Sequence, residues 1–87
     1  MYSVHLSNRA EKSLTEMHRS NPHVGIKIVA GLQFLAKDPI GLGMALTGNL
    51  KGNYKLRIGA YRVIYRVYKN ELLISVVAIG HRRDVYR

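Results

Sequence analysis

The sequence predicts an α+β domain in which an N-terminal strand and two helices precede a three-stranded antiparallel meander. Three observations carry that prediction. An apolar stripe at helical spacing runs from Gly25 to Ala36, and two alternating segments flank Gly59-Ala60. A nearly continuous apolar run from Leu72 to Ile79 follows. With one strand, two helices and then three strands in order, both helices are expected on one face of the sheet.

Each element has its own local cause. Tyr2, Val4 and Leu6 alternate with Ser3 and His5, the pattern of a short half-buried strand. Asn8, followed three residues later by Glu11, reads as a helix start, with Ala10, Leu14 and Met17 on the inner side. Ser20-Asn21-Pro22 ends that helix and begins the next, Asn21 suiting the N-cap and Pro22 the first helical position. Gly25, Ile28, Val29, Leu32, Leu35 and Ala36 then form one stripe of a helix ending near Asp38-Pro39. Residues 40–53 hold four glycines and no period, so a loop is expected, pinned to the core by Leu46 and Leu50. Neither phosphate-loop glycine pattern, GxxxxGK[ST] or GxGxxG, occurs in it. Tyr54–Ile58 and Tyr61–Val67 are joined by a two-residue connection with glycine first, which favours a type II′ hairpin. Lys69-Asn70 makes the last turn.

At 87 residues the chain has room for one domain, spanning 1–87. It contains no cysteine, which removes disulfides, thiolate metal sites and cysteine nucleophiles. No apolar run approaches the ~18 residues of a membrane span, and no signal-peptide pattern follows Met1. A cytoplasmic protein without membrane association is expected. Its formal charge is +9, of which +7 lies in residues 51–87. A field so concentrated points to an anionic partner, with nucleic acid first.

Hairpin register converts this charge into a surface. With Gly59-Ala60 as the loop, Arg57 opposes Arg62, Lys55 opposes Ile64 and Leu56 opposes Val63, and opposed residues share a face. Tyr54, Leu56, Ile58, Tyr61, Val63, Tyr65 and Val67 then form the core side. Lys55, Arg57, Arg62 and Arg66 form the other, with Ile64 the one apolar member. Opposing two arginines costs some tenths of a kcal/mol, so stability alone does not explain the pattern. Arginine forks suit phosphate oxygens. The basic tail His81-Arg82-Arg83 follows the last strand, and Tyr86 offers a ring for base stacking.

The same third of the chain has only Glu71 and Asp84 as carboxylates, too few to hold the cations of a two-metal nuclease. The four histidines lack zinc-ligand spacing. No metal or other cofactor is expected. A nuclease built from these residues would use the 2′-hydroxyl of RNA as its nucleophile, with cations stabilising the phosphorane and an acid and a base moving protons. Lys55 and His81 can both serve proton transfer, and the residues alone leave the acid and base unassigned.

Leu50-Lys51-Gly52, Tyr54-Lys-Leu-Arg57, Ala60-Tyr-Arg-Val-Ile-Tyr65 and Ala78-Ile-Gly-His-Arg-Arg-Asp-Val-Tyr86 resemble the RelE toxins of type II toxin–antitoxin systems. The element order also resembles the RelE/ParE fold. The resemblance implies a ribosome-dependent endoribonuclease that cuts messenger RNA in the A site without metal. It implies Lys55 and Arg57 as a basic pair, Arg62 as the transition-state arginine and Arg82 as general acid or phosphate clamp. It further implies Tyr86 as the ring that stacks on or orients the cleaved nucleotide. Lys51, Arg66, His81 and Arg83 are the flanking substrate-binding candidates. Two departures stand out: Arg57 replaces a lysine, which leaves the base role to Lys55, and the sequence ends one residue after Tyr86 where some relatives continue into a helix. The family also implies a cognate antitoxin lying over the basic face, in a hetero-oligomeric complex. A ParE-like toxin that poisons DNA gyrase and a non-catalytic RNA-binding module are the alternatives.

Overall fold

The computed structural model describes residues 1–81. One five-stranded sheet, ordered β1-β5-β4-β3-β2, runs through the molecule. Its strands are β1 (Ser3–Leu6), β2 (Met44–Ala45), β3 (Tyr54–Ile58), β4 (Tyr61–Tyr68) and β5 (Leu73–His81). The helices are α1 (Asn8–Ser20), α2 (Pro22–Leu35) and the single-turn α3 (Pro39–Leu42). Strand β1 pairs in parallel with β5, and the other pairings are antiparallel.

The α+β class and the order of the first elements are as the sequence predicts. Helix α1 begins at Asn8, but its N-cap is Ser7, whose Oγ accepts from the Ala10 amide at 3.0 Å. Asn21 caps α2 as expected, its Oδ1 accepting from the His23 amide, with Pro22 at the first helical position. Gly25, Ile28, Leu32 and Leu35 are the buried stripe of α2. Val29 departs from it and is 42% exposed. The main core joins Ala10 of α1 and Ile28, Leu32 and Leu35 of α2 to Val63, Tyr65, Ile74, Val76 and Ile79 of the sheet. Both helices therefore cover one sheet face.

The segment expected to be a loop is a correction. Residues 39–53 contain α3, strand β2 and a short 3-10 turn at Gly48–Leu50. Asp38 caps α3, its Oδ1 accepting from the Gly41 amide at 3.0 Å. Strand β2 then adds a fifth strand beside β3, with Met44 opposite Lys55 and Ala45 opposite Tyr54. A two-residue strand has no period to detect, which is why the alternation test passes over it. Leu46 packs on Ile64 and Ala78, a second small cluster on the sheet face away from the helices.

In the hairpin every expected pair is present, from Tyr54 opposite Tyr65 to Ile58 opposite Tyr61. Of the loop pair, only Gly59 takes a positive φ, +60°, as a type II′ turn requires. Strand β5 lies inside the sheet, consistent with its apolar run. Its alternation breaks at Val77: Tyr65 opposes Val76, but Ile64 opposes Ala78. Val77 is the extra residue of a β-bulge. Ser7 stitches this bulge to the start of α1, its amide donating to Val76 O and its Oγ donating to Val77 O, each at 2.9 Å.

Candidate functional site

Strands β3 and β4 turn their even-numbered and odd-numbered positions to opposite faces, so the register fixes where the cations stand. Lys55, Arg57, Arg62 and Arg66 share the face away from the helices. Lys55 and Arg62 are half-buried, while Arg57 and Arg66 are exposed. Arg62 is held closely enough that its Nε atom is buried.

Lys55, Arg57 and Arg62 converge on one cleft of about 320 Å³. Leu42, Gly43 and Met44, from the end of α3 and the start of β2, complete it together with Leu56. By sheet order the cations come from β3 and β4, and Met44 from the edge strand. Among the described residues no carboxylate lines the cleft. Among the described residues no three His, Cys, Asp or Glu side chains gather to hold a metal ion. The charged chemistry available here is stabilisation of anionic oxygens by arginine and proton transfer by lysine.

The uncharged wall is fixed from behind by Tyr65. This side chain is fully buried, stacks on Tyr54 with ring centroids 5.7 Å apart, and donates its hydroxyl to Pro39 O at 2.6 Å. A buried phenol needs such a partner, and the bond ties α3 to the core. Desolvation, then the proximity of Tyr54 and Asp38, pushes the Tyr65 hydroxyl up to about 12. Gly43 is the residue that admits the hydroxyl: a Cβ at position 43 would collide with Tyr65 Oη.

Of the residues expected to act together, the structure brings Lys55, Arg57 and Arg62 into one cleft. Arg66 and Lys51 stand apart from it. The Arg66 Nη2 atom lies 3.5 Å from the position a Cβ on Gly52 would take, so the turn bearing Lys51 passes close to Arg66. His81 does not join the cleft either. It opposes Tyr61 and meets that ring edge-on, centroids 5.8 Å apart, on the helix-covered side of the sheet. The bulge at Val77 is the reason, because one extra residue moves every later side chain of β5 to the other face. His81 instead borders a separate cleft of about 450 Å³ with Arg9 and Glu16 of α1. Arg82, Arg83 and Tyr86 lie outside the described residues. Sequence reasoning missed Gly43, Met44 and Tyr65 as parts of the site. The available signal was an isolated methionine, without periodic role, among glycines.

A family model described as the ParE toxin of type II toxin–antitoxin systems matches residues 4–86. The chain belongs to this family. The toxin is also 28% identical to Toxin RelG of Mycobacterium tuberculosis, over 99% of its own length and 97% of that protein's. Among solved structures it is similar to the RelBE2 toxin–antitoxin complex of Mycobacterium tuberculosis, with a TM-score of 0.81 and 26% identity over 93% of this chain and 98% of that one. The YoeB/ParE toxin of Agrobacterium tumefaciens shares the fold, with a TM-score of 0.80 at 19% identity over 94% and 99% of the two chains. The RelE/ParE resemblance read from the sequence therefore holds, and the protein is a toxin of a type II toxin–antitoxin system. Among the described residues no helix is long and apolar enough to cross a membrane.

Proposed function

We propose that this toxin is an endoribonuclease that cuts messenger RNA in the ribosomal A site by attack of a 2′-hydroxyl on the adjacent phosphate. The observation that carries the reading is the convergence of Lys55, Arg57 and Arg62 on one cleft that no carboxylate lines among the described residues. Lys55 is the candidate base for the 2′-hydroxyl. Arg57 and Arg62 donate to the non-bridging oxygens, whose charge grows as the phosphorane forms. Arg82 is the proposed acid or clamp at the departing 5′-oxygen, and Tyr86 the ring that orients the cleaved nucleotide. Lys51, Arg66, His81 and Arg83 are proposed as flanking contacts to RNA.

The partners proposed are the ribosome with its message, and a cognate antitoxin that neutralises the basic face. The relative from Mycobacterium tuberculosis was solved as a toxin–antitoxin complex, which supports a hetero-oligomeric resting form here. The proposed compartment is the cytoplasm. A second reading, poisoning of DNA gyrase, is favoured by one observation, the ParE description of the matching family model.

The deciding experiment uses purified toxin with ribosomes carrying a defined message, an occupied P site and an empty A site. Primer extension reads the cut. Cleavage inside the A-site codon, absent from naked RNA and abolished in Arg62→Ala, is the expected result. An intact message despite ribosome binding overturns the nuclease reading, and DNA cleavage trapped on gyrase by the same preparation establishes the second one.

A further inference from the structure

The cleft is divided chemically. Lys55, Arg57 and Arg62 line it with positive charge, whereas Met44, Leu42 and Gly43 line it without charge. Met44 lies directly opposite Lys55 across the β2–β3 pair, so the two share a sheet face. Its side chain is 62% exposed, a large apolar group left in water beside three cations. Solubility does not ask for that residue there, and the main core leaves Met44 out. Nor is its position loose. The backbone immediately before it is held at Gly43 against Tyr65 Oη, and Tyr65 is in turn bonded to Pro39 O.

A ligand matching both parts has an anionic end and a flat apolar end a few ångströms apart. A nucleotide has that form. The thioether is polarizable and packs well on aromatic faces, with a contribution of about 0.3–1.5 kcal/mol that corresponds to roughly a two- to tenfold change in affinity. We propose that Met44 is a base-packing residue, holding the nucleobase of the nucleotide whose phosphate is bound by Lys55, Arg57 and Arg62. Because Leu42, Gly43 and Met44 bring no side-chain hydrogen-bonding group to the base, the contact accepts any base and favours the larger purines. This deepens the nuclease reading and rests on it for the biological ligand, but the contact itself is measurable without any cleavage.

The test uses the intact toxin labelled at its methionine methyl groups, titrated separately with adenosine 5′-monophosphate and ribose 5-phosphate. The two probes share the phosphate and sugar and differ by the base. The expected result is an upfield ring-current shift of the Met44 methyl with the nucleotide alone, and two- to tenfold tighter binding of the nucleotide than of the sugar phosphate. Met44→Ala abolishes that preference, and Met44→Leu retains most of it. Equal affinities for the two probes, or a Met44 methyl unmoved at saturating nucleotide, overturns the proposal. A positive titration from a toxin that leaves messages intact on ribosomes supports the base contact while rejecting the nuclease, so the two failures are distinguishable.

Discussion

Replacing Gly43 by alanine tests the wall of the cleft through a single added carbon. Gly43 has φ −96° and ψ −179°, ordinary extended backbone, so alanine incurs no conformational penalty and the whole effect is steric. The new Cβ would coincide with Tyr65 Oη and lie 2.8 Å from Tyr65 Cζ and 3.1 Å from Lys55 O. Tyr65 is fully buried and cannot swing into solvent. Either the hydroxyl leaves Pro39 O unbonded, at a cost of about 1–3 kcal/mol, or β2 moves off β3. Overpacking of a tight site costs a similar ~1–3 kcal/mol, and we expect a loss of about 2–3 kcal/mol in all. For a domain of this size that lowers Tm by about 10–20 °C, read by circular dichroism melting. Tyr65→Phe alone should cost about 1–2 kcal/mol through the lost bond. In the Gly43→Ala background the same change should cost nearly nothing, since it removes the atom that clashes. The reasoning fails if Gly43→Ala melts within a few degrees of the parent, or if the two changes are additive to within about 0.5 kcal/mol.

Alkaline titration offers a second check on the same hydroxyl. Tyr65 ionises at about 12 in the folded chain against 10.0 as its ordinary value, so its contribution is complete below pH 10 and is lost as pH rises toward 12. The parent should lose about 2–3 kcal/mol of stability through Tyr65 over that window, and urea midpoints for Tyr65→Phe should fall less steeply there. Equal slopes for the two proteins would show that the hydroxyl is solvated. The opposed pair Arg57 and Arg62 separates stability from function. Arg57→Thr should raise stability by a few tenths of a kcal/mol while lowering the salt dependence of RNA binding by about one counterion, measured by anisotropy across salt concentrations. An unchanged salt slope would exclude Arg57 from the RNA contact.

Local chemistry made the centre of this molecule legible in its sequence. Gly59-Ala60 permits one hairpin register, so the face bearing Lys55, Arg57, Arg62 and Arg66 followed from parity alone. Asn21-Pro22 likewise marks a helix start that tertiary packing does not override. What stayed hidden depends on contacts between distant segments. Strand β2 exists because its two residues find β3, and nothing in Met44-Ala45 itself favours a strand. The Val77 bulge lets Ala78 join Ile64 and Leu46 on one face while Ile79 enters the main core on the other. An apolar run of that kind carries no mark of where its alternation slips, so the side taken by His81 was not readable. The role of Gly43 needed the third coordinate, since Tyr65 is distant from it in the chain and meets it only in the fold.

The position of β5 also sets the order in which this toxin is born. Strand β5 lies between β1 and β4, and Ser7 reaches 70 positions along the chain to bond Val77. Every strand but β5 leaves the ribosome first, yet α1 and α2 have no complete floor until Ile74, Val76 and Ile79 arrive. At about 5–20 residues per second, the stretch from Ser7 to His81 takes roughly 4–15 s to make. Only late in that interval is the basic hairpin of β3 and β4 made, and the body that supports it is then still unfinished. Vectorial synthesis thus delays the complete sheet until its inner strand is out, so the hairpin's cations are made before the floor that holds them in place.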